Sequence, residues 1–118
     1  MQVLFETRDP QAAGLRQLAV SRLQFVLRRV RWLVPRAIVR LSDLNGPRGG
    51  VDKRCVVELD TDGKGKVVIQ AVARDWRSAI DNALGRAARA LLRLWQRSRQ
   101  PGRASRDTPR RPPALPQA

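Results

Sequence analysis

The sequence has no histidine, no tyrosine and a single cysteine, Cys55, in 118 residues. Lacking histidine, it lacks the side chain best suited to proton transfer near neutral pH. A lone cysteine excludes an intrachain disulfide and suits a reducing compartment. Cys55 falls inside an alternating apolar run with no evident base beside it, so it reads as a small core residue rather than a nucleophile. The acids are scattered singly through strands and turns. No paired carboxylates are available for acid–base chemistry, and no enzyme is expected. Aromatic residues make up 4% of the chain, too few for a sheet surface built to stack bases. No apolar run approaches the ~18 residues of a membrane span, and Met1 to Arg8 lacks the basic-then-apolar pattern of a secretion signal. A cytoplasmic protein with no membrane partner is the expectation.

Acidic charge is the remaining scarcity, and it turns attention to what is abundant. Against 10 Asp and Glu stand 24 Lys and Arg, a formal net charge of +14. A polyanion is the partner such a balance suggests. The bases are nearly all arginine, with lysine only at Lys53, Lys64 and Lys66. The planar guanidinium binds phosphate bidentately and stacks on bases, which favours nucleic acid over mere solubility. Residues 1 to 100 hold 20 bases and 9 acids, so most of the excess belongs to the foldable part of the chain.

Hydropathy divides that part into six elements. Gln2 to Thr7 alternates like a short strand. Asp9-Pro10 reads as an N-cap followed by proline at the first helical position, and apolar residues Leu15, Leu18, Ala19, Leu23, Val26 and Val30 then recur at helical spacing. That pattern predicts one helix to about Arg31, ended by Pro35. From Arg36 the period changes to two. Arg36 to Leu44, Lys53 to Asp60 and a run holding Val67, Ile69, Ala71 and Ala73 predict three strands, joined by glycine-rich turns at Asn45–Gly50 and Asp62–Gly65. A second helix is predicted from an N-cap at Asp75 to about Arg99, with Pro101-Gly102 beyond it. Residues 101–118 are rich in proline and arginine and bury too little to order themselves. The expected fold is α+β in the order β-α-β-β-β-α: a four-stranded mixed sheet, its first two strands parallel, with both helices on one face.

Candidate sites follow from where the charge falls. Asp60 to Ala71 has acids at positions 1 and 3 of a calcium loop, but Lys64 occupies position 5 and Ala71 replaces the bidentate glutamate at position 12. It is read as a hairpin turn, and no metal or other cofactor is expected. In the last helix, Arg86, Arg89, Arg93 and Arg97 fall within about 80° of one another over ~16 Å, with no acid on that flank. Solvated helix faces usually mix signs, so phosphate binding is the preferred reading here. Arg28, Arg29 and Arg31, at the end of the first helix, either extend this surface or complement the helix dipole. Asn45 to Arg54 offers Gly46, Gly49 and Gly50 beside Arg48, Lys53 and Arg54, a combination that suits a phosphate nest as well as a plain hairpin turn. Trp32 is a candidate for base stacking, whereas Trp76 and Trp95 fall on or beside the apolar stripe.

The order of elements, the segment Leu41-Ser42-Asp43-Leu44-Asn45-Gly46-Pro47-Arg48-Gly49-Gly50-Val51-Asp52-Lys53-Arg54-Cys55, and Asp75-Trp76-Arg77-Ser78-Ala79-Ile80-Asp81 together resemble the hibernation-promoting factor and ribosome-associated inhibitor family of bacteria, over about residues 1 to 99. The resemblance implies a protein that binds 16S rRNA of the small ribosomal subunit in the channel used by mRNA and tRNA and silences idle ribosomes. It implies rRNA contacts by basic residues of the helices, here Arg86, Arg89 and Arg93. On this resemblance the chain is expected to be of a short form, with residues 101–118 where the family's long form has a dimerisation domain. No small-molecule substrate is implied. The alternatives are a generic RNA- or DNA-binding module acting away from the ribosome and a regulator that binds an acidic protein.

Overall fold

The computed structural model describes residues 1–44 and 52–98. Four strands, β1 (Gln2–Thr7), β2 (Arg36–Asp43), β3 (Lys53–Asp60) and β4 (Lys66–Ala73), lie side by side in chain order. β1 runs parallel to β2, and the other neighbours are antiparallel. The α+β fold with a mixed sheet is the one the sequence predicts. Register aligns Phe5, Val39, Val57 and Ile69 in one row across the sheet, all belonging to the hydrophobic core. Residues at odd positions of these strands face the helices, and the even ones form an uncovered face.

The turn between β3 and β4 needs its glycines. Gly63 and Gly65 have φ of 82° and 106°, a region where a Cβ is strained. Thr61 closes the turn, its Oγ1 accepting from Lys64 N at 3.1 Å while its own N–H donates to Gly65 O at 3.1 Å. Among the described residues no cluster of metal-ligating side chains occurs.

The first helix departs from expectation. In place of one helix to about Arg31 there are α1 (Pro10–Ala13), α2 (Arg16–Val26) and a 3-10 helix at Arg31–Leu33. Asp9 caps α1 as expected, accepting from Gln11 N at 2.8 Å, and Gly14 ends it. Beyond Leu27 the backbone shifts to i→i−3 bonds: Arg28 N to Phe25 O, Val30 N to Leu27 O, and Leu33 N to Val30 O. That tighter winding brings every third residue onto one side. Leu27, Val30 and Leu33 are all buried as a result, a set that continued α-helix would fan apart. Val34, extended before Pro35, leads into β2.

α3 (Trp76–Ser98) is the longest element, 23 residues, or about 34 Å at the helical rise. Asp75 caps it, its carboxylate accepting from Ser78 N at 2.7 Å and Ser78 Oγ at 3.0 Å. The Ser78 N–H foremost holds the Asp75 carboxyl below its ordinary pKa. Ile80, Ala83, Leu84, Ala87 and Leu91 are buried on one side of α3 and join Leu23 and Leu27, Val39, Leu41, Cys55, Val57 and Leu59 in a single core. Both helices therefore cover the same face of the sheet. Cys55 is fully buried within it, and burial pushes its thiol up to about 12.

Candidate nucleic-acid interface

The side of α3 turned away from the core carries Arg86, Arg89, Arg93 and Arg97, all exposed. At about 100° per residue their mean direction lies roughly 130° from the centre of the buried stripe, so packing and display do not compete. Arg86 is anchored: its Nη1 donates to Gln70 O on β4 at 2.8 Å. Gln70 lies on a sheet edge, where an outward carbonyl otherwise awaits another strand. Between α3 and that edge runs a groove of about 360 Å³, lined by Gln70, Val72, Asp81, Asn82, Arg86 and Arg89 among others. Among the described residues no carboxylate lies within ion-pair range of any of the four arginines. The one acid inside α3, Asp81, is taken by Arg22 of α2 at 2.5 Å.

Arg28 and Arg31 lie beyond the end of α2 rather than on it, Arg31 within the 3-10 helix. Both are exposed. Arg28 lies 4.3 Å over the Phe25 ring and donates to Phe25 O at 2.8 Å, so it closes the frayed helix end as well as carrying charge. Trp32 is 67% exposed and meets the half-buried Trp95 edge-on, with ring centroids 6.1 Å apart. That contact ties the 3-10 helix to α3. The charge at Arg28, Arg29 and Arg31 is part of a longer signal in the sequence, because residues 10 to 42 contain seven arginines and no acid.

Of the glycine-loop cluster, Asn45, Gly46, Arg48, Gly49 and Gly50 lie outside the described residues, and Lys53 and Arg54 point to opposite faces of the sheet. Lys53 points toward the helices, where its Nζ sits 2.9 Å from Asp43 Oδ2, 3.3 Å from Asp52 Oδ1 and 5.5 Å from the centre of the Trp76 ring. The hydrogen bond that Lys53 donates to Asp43 is the main reason its pKa is raised. Asp52 is fully buried, and among the described residues neither of its oxygens accepts a well-formed hydrogen bond. Charge attraction to Lys53 is what holds that carboxylate. Lys53 therefore has a structural partner set. Arg54, one residue on, emerges on the opposite, uncovered face, where its Nε donates to Ser42 Oγ at 3.0 Å. Strict alternation along β3 carried this information, because Lys53 is in phase with Cys55, Val57 and Leu59.

The uncovered face holds a concavity of about 810 Å³, with Arg8, Arg40 and Arg54 among Glu6, Asp9 and Asp43. Its signs are mixed. Arg40 pairs with Glu6 at 2.7 Å and with Glu58, and Lys66 pairs with Glu58 at 3.6 Å and Asp60 at 3.5 Å. The Arg40 hydrogen bond depresses the Glu58 pKa and so favours the charged pair. A polyanion needs an extended field of one sign rather than a cavity, and only the helix side supplies one.

Against solved structures the fold is a familiar one. A ribosomal subunit interface protein from Coxiella burnetii superposes with a TM-score of 0.63, covering 85% of this chain and 100% of that one at 14% identity. The N-terminal domain of Protein Y from Thermus thermophilus superposes with a TM-score of 0.60, covering 80% of this chain and 99% of that domain at 22% identity. The chain has their fold. No protein-family model and no curated protein matches the sequence. At these identities the likeness concerns architecture, and the arginines of α3 are assigned a role by their own geometry.

Proposed function

We propose that this protein is a cytoplasmic, ribosome-associated translation inhibitor of the hibernation-promoting type, which binds 16S rRNA of the small subunit and occludes the mRNA and tRNA channel under stress. The observation that carries this reading is the arginine flank of α3, which among the described residues has no carboxylate in ion-pair range, on a fold shared with a ribosomal subunit interface protein. Such a surface contacts phosphates by shape and charge. Inhibition then needs no chemistry, since a folded domain in the channel excludes the substrates of translation. Arg86, Arg89, Arg93 and Arg97 are the main phosphate contacts, with Arg28 and Arg31 extending them and Arg48 and Arg54 as outlying contributors. Lys53 was included by sequence and contributes by holding the end of β3 in place.

The test is sedimentation of the full chain with purified small subunits across a salt series. With about five phosphates contacted, the log–log slope is expected near −4. A slope near zero sinks the proposal. Equal affinity for a free RNA duplex would convert it to a generic nucleic-acid module.

A further inference from the structure

Two large rings of the acid-free stretch lie on the surface, Phe25 63% exposed and Trp32 67% exposed. Neither is loosely placed. The Arg28 guanidinium lies over Phe25, and Trp32 stands nearly perpendicular to Trp95, at 86°. Exposed aromatic rings oriented by neighbours present a flat apolar face at little further cost in side-chain entropy, which suits a ligand with a flat face of its own.

Their position is fixed by two links to α3. Arg22 meets Asp81 and Trp32 meets Trp95. The α3 partners are 14 residues apart, about 21 Å along the axis, and occur in the same order as their partners, so the two segments run in the same direction. Phe25 and Arg28 fall between the links on one segment. Arg86, Arg89 and Arg93 fall between them on the other, together with the 40% exposed Leu92. Phe25, Arg28, Arg31 and Trp32 thus lie together on the segment that these two links tie to α3.

We infer that Phe25 and Trp32 form a stacking site for unpaired bases of single-stranded RNA, with Arg28 and Arg31 holding the flanking phosphates. Bases in a duplex hide their faces, whereas unpaired ones offer a π surface to aromatic rings and a phosphate to each neighbouring guanidinium. An acidic protein would use the arginines and leave the rings idle. The inference rests on RNA being the ligand, and it adds that single-stranded segments are preferred over helical ones.

The experiment measures binding of the full chain to an eight-nucleotide oligouridylate and to an abasic ribose-phosphate oligomer of the same length, by fluorescence anisotropy. The wild type is expected to favour the base-bearing strand. Trp32→Ala or Phe25→Ala is expected to weaken that strand about tenfold and to leave the abasic one unchanged, while Trp32→Phe, which keeps a ring, retains most of the affinity. If the wild type fails to bind small subunits yet keeps the base-dependent difference, the ribosomal reading falls and this site stands. Equal wild-type affinity for the two oligomers, or unchanged binding of both alanine variants, overturns the site. Loss of binding to phosphatidylglycerol vesicles by the alanine variants, with RNA binding intact, overturns it in favour of a membrane contact.

Discussion

The two faces of this domain use the same cation in opposite ways. On the uncovered sheet face, Arg40 is held between Glu6 and Glu58, and Lys66 between Glu58 and Asp60. On the helix side, Arg86, Arg89, Arg93 and Arg97 have no acid partner among the described residues. Net charge alone conceals this contrast. What decides whether an arginine stabilises the fold or awaits a ligand is where the few acids are placed, and among the described residues none is placed within ion-pair range of the arginine flank of α3.

The sharpest way to break the comparison is to reverse charge on each face in turn. Arg89→Glu with Arg93→Glu is expected to abolish small-subunit binding at physiological salt, and conservative replacement of both by glutamine to flatten the salt slope by about 2. Lys66→Gln on the sheet face leaves the slope unchanged. Retained binding by the charge-reversed protein, measured by co-sedimentation, would remove the helix side from the interface.

The next largest effect concerns the layer between the two faces. Leu91 is 1% exposed, and Leu91→Ala is expected to cost about 2–5 kcal/mol in denaturant unfolding. Val68, 56% exposed on the uncovered face, is expected to change stability by less than about 0.5 kcal/mol when cut to alanine. Smaller again is the difference between two lysines. Lys53→Met removes the cation shared by Asp43 and the buried Asp52, and is expected to lower Tm clearly more than Lys66→Met, whose ion pairs are solvated. Equal shifts in calorimetry would show that Asp52 does not depend on Lys53.

Acid titration gives the smallest effect. Glu58 and Asp75 have folded pKa values below their ordinary 4.5 and 3.8. Their contributions are complete above those ordinary values and are lost as pH falls through the lower folded ones. Tm is therefore expected to fall below about pH 4, and Asp75→Asn to make that fall shallower. Cys55, raised to about 12 by burial, is expected to resist thiol reagents until the chain unfolds.

Much of this was legible in the sequence because the strands alternate cleanly. Gln2 to Thr7 and Lys53 to Asp60 are both bounded as the period-two pattern predicts, and the parallel first pair follows from a helical crossover. The break after Val26 was not legible. Local propensity permits helix through Arg31, and the change to 3-10 winding is set by tertiary packing of Leu27, Val30 and Leu33. At the candidate site, the arginine flank of α3 was visible from phasing alone. The separation of Lys53 from Arg54 was visible too, but grouping residues by charge along a loop overrode the alternation of the strand. The stacking geometry at Phe25 was beyond reach, because Phe25 belongs to neither stripe of its helix and its exposure depends on where that helix ends.

Arg86 adds a subtlety through its bond to Gln70 O. The guanidinium has five N–H donors and this bond uses one of them, so a phosphate can be engaged with the Gln70 bond kept. The bond then works as an anchor that has already restricted the side chain before any ligand arrives. A phosphate on the flank would polarise that same bond, so backbone amide and carbonyl signals along β4 are expected to report ligand binding on a helix they do not belong to.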